Sequence, residues 1–267
     1  MLKTRIISAV IGLPLMISTL IIGGKFFYLF VFLLSAVGLY EYYRAFSNTD
    51  YKPTPWIGYS VTIMYYFLIS ISYNSFITLS ILIFIALLLT FLDTIKKGYN
   101  ILNVAVTVLG VIYVSYLFSN LIFIYNKTSG NILVWLPFLT AWFSDTGAYF
   151  VGNIFGKTKL APNISPNKTV EGSIGGLAFS IIASMLFSKF LLAMTPIKDA
   201  VLLGIIVGVV AQVGDLSASL LKRYCNTKDF SNIIPGHGGI LDRFDSALFS
   251  FPVAYYYIVL LIKKGGL

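Results

Sequence analysis

The chain has 267 residues, of which 58% are hydrophobic and 11% charged, and its mean hydropathy is +0.87. That composition excludes a water-soluble protein, and once membrane spans are counted it leaves no room for a separate soluble domain. The formal charge of +9 is not arranged as a basic stripe interleaved with aromatics, so no nucleic acid partner is indicated.

Breaks at Gly, Pro, Asn and charge clusters divide the chain into nine predicted spans, at about 6–22, 26–46, 56–73, 76–93, 101–125, 131–151, 173–194, 199–222 and 244–262. Each is close to the twenty or so apolar residues that cross a ~30 Å hydrocarbon core, so an all-α, polytopic transmembrane protein of about nine spans is expected. The opening run MLKTRIISAVIGLPLMISTLIIGG has a basic lead, but it is long and no small-x-small cleavage site follows. It reads as an uncleaved first helix. Between the third and fourth spans only Ser72–Ser75 intervene, which leaves a tight hairpin and one long bent helix both open.

With nine spans, Lys and Arg divide thirteen to six in favour of the N-terminal side, which predicts a cytoplasmic N-terminus in a cell's inner membrane. Residues 1–130 read as a lipid-facing helical scaffold. Residues 131–267 read as a catalytic half, because they carry two long polar connections, 152–172 and 223–243, both on the cytoplasmic side. The single Cys225 cannot form an intramolecular disulfide and suits a reducing face; no role is assigned to it.

Chemistry concentrates in that second half. Asp145 and Tyr149 lie one turn apart at the end of the sixth span, and a carboxylate there is costly unless used. The following loop contains GNIFGKT, which imitates a nucleotide P-loop but has three residues rather than four between its glycines and no preceding strand. Lys157, Ser165 and Lys168 can still meet phosphates through cations and exposed amides, and Glu171 suits the first turn of the seventh helix. On the eighth span, Gln212, Asp215, Ser219 and Lys222 form one polar stripe at helical spacing. Asp242 and Asp245 open the ninth, three residues apart, where capping alone accounts for one of them. Three carboxylates among Lys222, Arg223, Lys228 and Arg243 suit a divalent cation with phosphate, Mg²⁺ taking a few carboxylates and completing its shell with water and phosphate oxygens. In PGHGG, the glycines let backbone amides approach an anion, and His237 is read as loop organiser or phosphate contact ahead of general base or metal ligand.

The stretch SASLLKRYCNTKDFSNIIPGHGGILDRFD resembles the signature of the phosphatidate cytidylyltransferases, the CDP-diacylglycerol synthases, and SDTGAY and SPNKTVEG resemble that family's second polar segment. The resemblance covers roughly residues 140–250, with the first hundred alike only in length and hydropathy. It implies that CTP and phosphatidic acid give CDP-diacylglycerol and pyrophosphate with Mg²⁺, any second cation being left unidentified. It implies a metal site at Asp215, Asp242 and Asp245, and phosphate handling by Lys222, Arg223, Lys228, Arg243 and His237. Substrate contacts would come from Asp145, Lys157, Ser165, Lys168, Ser219, Gly238 and Gly239. From the likeness alone, a homodimer is also implied. A CTP-dependent lipid kinase would share these substrates but transfer the γ-phosphate. A secondary transporter would need inverted repeats with broken helices in both halves, and the acids crowd into one.

Overall fold

A computed structural model describes residues 2–47, 49–71, 75–97, 100–191 and 196–263. Among them run nine long helices: α1 (Leu2–Ile22), α2 (Gly24–Phe46), α3 (Pro55–Ser70), α4 (Ser75–Lys97), α5 (Leu102–Tyr125), α6 (Trp135–Phe155), α7 (Val170–Leu191), α8 (Ile197–Tyr224) and α9 (Ile240–Lys263). With 81% of the described residues helical, the all-α expectation holds. Six of the helices, α2, α4, α5, α7, α8 and α9, are long and apolar enough to cross a membrane. The third and fourth predicted spans are separate helices that pack on each other; the connection at 72–74 lies outside the described residues.

Contacts divide the chain into two compact units, Met1–Ile122 with Tyr224–Arg243, and Phe123–Arg223 with Phe244–Leu267. The loop 224–243, which the sequence reading grouped with residues 131–267, thus belongs with the first unit. In that unit α3 is tied to α5 by hydroxyls. Thr62 and Ser115 share a hydrogen bond of 2.7 Å, Tyr65 and Ser119 one of 3.0 Å, and Tyr66 Oη donates to the Ser115 carbonyl at 3.1 Å. These bonds cluster where α5 widens into a π turn at Val111–Tyr116, a widening that shifts carbonyls off the regular ladder and leaves them open to outside donors. Tyr43 of α2 donates to the Thr107 carbonyl at 2.8 Å, and its ring fills the space left by Gly58 and Gly110.

The most constrained group of the first unit is Glu41, fully buried in α2. Its carboxylate accepts the Ser231 hydroxyl at 2.6 Å and the backbone N–H groups of Ile240 and Leu241 at 2.8 Å each. The last two are orphan donors of the first turn of α9, so a side chain about two hundred positions away serves as that helix's cap. Asp242 closes the same turn from within, its Oδ2 accepting Gly239 N and Phe230 N at 2.9 Å each. Gly239 has to be glycine here, since a Cβ would sit 2.6 Å from a Glu41 carboxylate oxygen.

The second unit is built around a close seam between α6 and α7. A Cβ on Gly172 would stand 2.8 Å from the Ala148 carbonyl, and one on Gly176 2.8 Å from the Ser144 carbonyl, so the backbones touch without a layer of side chains. Farther along, a Cβ on Gly214 of α8 would meet the Asp245 carbonyl of α9 at 2.7 Å. Between α6 and α7 the chain forms one short antiparallel hairpin, β1 (Lys159–Ala161) with β2 (Ser165–Thr169), which the sequence reading left as loop.

Replacing Glu41 with Ala strands three donors in the interior, each worth about 1–3 kcal/mol. The thermal midpoint in detergent is expected to fall by on the order of 10 °C. Gly239→Ala should move it in the same direction. A midpoint within ~2 °C of the parent in both variants, read by intrinsic fluorescence, would show that the α9 cap does not support the fold.

Candidate functional site

The second unit holds a cavity of about 370 Å³ walled by α6, α7, α8 and the hairpin. Its walls carry Asp145, Lys168, Ser173, Gln212 and Asp215. Lys168 reaches in from β2 and forms an ion pair with Asp215, each side chain 27% exposed. Gln212, one turn before Asp215, makes a two-way amide contact with α7: its Nε2 donates to the Ser173 carbonyl at 3.0 Å and its Oε1 accepts from the Ser173 hydroxyl. That contact sets the rotation of α8 that turns Asp215 inward, since both residues lie on one face.

Asp145 and Asp245 complete an acidic group on three helices. Asp145 Oδ2 accepts the Ser246 hydroxyl at 2.8 Å, and Asp245 Oδ1 accepts the Ser246 backbone N–H at 2.9 Å. Asp145, Asp215 and Asp245 influence one another electrostatically, with Lys168 acting on Asp145 and Lys222 on Asp245. Negative charge is thus gathered against two ammonium groups in a partly enclosed space. Among the described residues, no group of three His, Cys, Asp or Glu side chains is placed to hold a metal ion.

The other residues singled out from sequence are placed as follows. Lys157 is exposed, with its backbone N–H on Glu171 Oε2 at 3.1 Å; the same carboxylate accepts Thr158 N, so Glu171 pins the loop that enters the hairpin. Ser165 opens β2 opposite Ala161. Ser219 lies half-buried one turn beyond Asp215, and Arg223 Nε donates to the Ile164 carbonyl at the hairpin tip, 3.4 Å away. Lys228, His237, Gly238, Gly239, Asp242 and Arg243 belong to the first unit. There the Ile234 N–H donates to the Gly238 carbonyl and the His237 N–H to the Ile234 carbonyl, while Gly236 and Gly238 take positive φ values of 76° and 79°. The turn is thus held by backbone hydrogen bonds and by the glycine conformations, with no side-chain bond from His237 among them. Asp242 is 6% exposed, and its Oδ2 is taken by two backbone amides, the geometry of a helix cap.

Sequence reasoning passed over Glu41, Ser173 and Ser246. Glu41 carried the same signal as Asp145, an acid inside an apolar run, but it sits three residues before Arg44 near a helix end and reads there as an interfacial charge. Ser173 and Ser246 have no signature apart from their partners.

The family model described as the cytidylyltransferase family matches residues 3–261. The chain is 34% identical over 266 residues to the phosphatidate cytidylyltransferase of Bacillus subtilis, covering 97% of this chain and 98% of that protein. It is 32% identical to the enzyme of that name from Synechocystis, covering 97% of each, and 35% identical to the one from Staphylococcus haemolyticus, covering 94% of this chain and 97% of that one.

A double-mutant cycle tests the central ion pair. Lys168→Met and Asp215→Asn each leave a partly buried charge without its partner and should each cost about 1–2 kcal/mol of unfolding free energy, while the double variant costs clearly less than their sum. Additive losses in denaturant titrations would mean that the two groups do not interact. The chain belongs to the cytidylyltransferase family, and within it to the group that these phosphatidate cytidylyltransferases form.

Proposed function

We propose that the protein is a CTP:phosphatidate cytidylyltransferase of the membrane, making CDP-diacylglycerol and pyrophosphate, with its active site facing the cytoplasm. The observation that carries this reading is the cavity whose walls bring Lys168, paired with Asp215, together with Asp145. The full-length relatives support the same reaction and do not favour a lipid kinase.

In this reading an oxygen of the phosphatidate monoester attacks the α-phosphorus of CTP. A bond from that oxygen to phosphorus forms, and the bond from the α-phosphorus to the bridging oxygen of the β-phosphate breaks, releasing pyrophosphate. The attacking oxygen is already anionic near neutral pH, so no side chain has to take a proton from it. Lys168 and Lys222 neutralise phosphate charge as it moves toward the leaving group, and the hairpin amides and lysines Lys157 and Lys159 receive the triphosphate. Lys228, Arg243 and His237 keep their proposed part in phosphate handling.

The donor set fits Mg²⁺. This ion is typically held by one or two carboxylates, with water and substrate phosphates filling the rest of its shell. Asp215 and Asp245 would hold it, with Asp145 beside them, and when bound it supplies Lewis-acid neutralisation of the triphosphate. The work of Asp242 in this reading is to cap α9, because its Oδ2 is committed to Phe230 N and Gly239 N. The proposal also carries a homodimer, which sedimentation in detergent would test.

Purified protein given CTP labelled at the α-phosphate and short-chain phosphatidate should yield a labelled lipid that migrates as CDP-diacylglycerol, together with unlabelled pyrophosphate. Label appearing in lipid only from γ-labelled CTP would overturn the assignment. Asp245→Asn should lower turnover on the order of a thousandfold with little change in thermal midpoint. For Asp242→Asn the ordering is reversed, with stability lost first and turnover retained in the folded fraction. Equal turnover losses at unchanged midpoints would return Asp242 to the metal site.

Orientation follows from the thirteen-to-six charge count and from where CTP is found. Cys225 is buried, and burial pushes its thiol up to about 11, so at pH 7 the reactive thiolate is scarce and maleimide should leave it untouched in the folded protein. Raising the pH toward 11 favours its thiolate, as denaturation does by restoring water. Single cysteines placed at Asn167 and Asn232 can therefore be read against it and should label from the cytoplasmic side alone. Labelling of either from the opposite side in sealed vesicles would refute the map.

A further inference from the structure

The first unit carries a groove between α2 and α3 that the chemistry above does not use. The helices run antiparallel, with Tyr43 against Tyr59 toward one end and the rings of Phe32 and Tyr66 5.5 Å apart toward the other. Two cavities lie along it. One, of about 440 Å³, is bordered by Tyr40, Arg44, Lys52 and Tyr59. The other, of about 250 Å³, is bordered by Leu29, Phe32, Ile63 and Phe67. Twelve residues of helix separate Phe32 from Arg44, about 18 Å at 1.5 Å per residue, against about 15 Å for the hydrocarbon of one leaflet. The polar cavity is therefore spaced to lie at the interface when the apolar one lies among acyl chains.

Charge decides the occupant. Arg44 is held over Tyr40, its Nη1 donating to the hydroxyl at 3.3 Å and its guanidinium 5.9 Å from the ring centroid. The Lys52 backbone is anchored by Asn103 Oδ1 at 2.9 Å. Of the acids around them, Asp93 is engaged with Lys97 at 2.9 Å and Thr54 at 3.4 Å and Glu41 with the α9 cap, while Asp50 and Asp229 are exposed and form no ion pair with either cation. Among the described residues neither Arg44 nor Lys52 forms an ion pair. Two cations beside tyrosines at the head of an apolar channel match an anionic phosphate carrying an acyl chain. A choline head would bring its own ammonium against them, and a soluble phosphate would use the cations but not the channel.

We propose that this groove is a binding site for an anionic glycerophospholipid, its phosphate between Arg44 and Lys52 and one chain along Leu29, Phe32, Ile63 and Phe67. Trp56, 56% exposed in the first turn of α3, reports on it. In the full chain carrying Trp135→Phe and Trp142→Phe, Trp56 is the sole tryptophan. The protein is reconstituted in phosphatidylcholine vesicles, and increasing fractions of chain-brominated phosphatidylglycerol or chain-brominated phosphatidylcholine are introduced. Half-maximal quenching should need about fivefold less of the anionic lipid for each cation engaged. Arg44→Gln with Lys52→Gln should abolish that preference at an unchanged thermal midpoint, and Arg44→Lys with Lys52→Arg should restore it. Equal quenching by the two lipids in the parent, or a preference that survives the double Gln variant, overturns the site. Loss of the preference on adding glycerol 3-phosphate also overturns it, in favour of a pocket for soluble phosphates.

Discussion

Backbone polar groups inside a membrane protein have no water to turn to, and this chain meets that constraint at its last helix with a side chain from its second. Glu41 accepts two first-turn amides of α9 and the Ser231 hydroxyl, while Asp242 takes Gly239 N and Phe230 N. Burial of a carboxylate is costly unless its lone pairs are used, and here donors approach both oxygens. The same bonds fix where α9 begins. A helix that begins at one residue has its phase set for those that follow, so the start at Ile240 determines the side on which Asp245 emerges a turn later.

That arrangement divides the labour within PGHGGILDRFD. The two aspartates three positions apart look interchangeable as letters, yet Asp242 is committed to the loop and Asp245 stands among acids that repel it. A carboxylate satisfied by amides has little left to offer a cation. One facing other carboxylates has every electrostatic reason to attract one.

Much of this was legible in the sequence. The nine apolar runs correspond to nine long helices among the described residues, six of which are long and apolar enough to cross a membrane. Asp145 and Asp215 were found by the cost of a carboxylate in an apolar span, and Lys168 and Lys222 as cations suited to phosphate; all four lie in the second unit, as does Asp245. What stayed hidden depends on pairs distant in sequence. Glu41 and Ser231 lie 190 positions apart, and nothing in either neighbourhood names the other. The hairpin was missed because Lys159–Ala161 and Ser165–Thr169 are too short and too polar to show a strand period. The π turn in α5 carries no breaker residue of its own to announce it.

The seam between α6 and α7 bears on which substitutions this protein can accept. Where two backbones touch at Gly172 and Gly176, any added carbon has to displace a carbonyl, so drift at those positions is closed off and neighbouring side chains cannot compensate by repacking. The opposite wall of the cavity is a hairpin held by Glu171 to the chain entering it, by Arg223 at its tip, by the Lys168–Asp215 ion pair across the cavity and by Thr169 to the first turn of α7. A change at the seam is therefore felt as a displacement of two helix backbones, whereas a change on the hairpin is felt through Lys168 and the cavity that it enters.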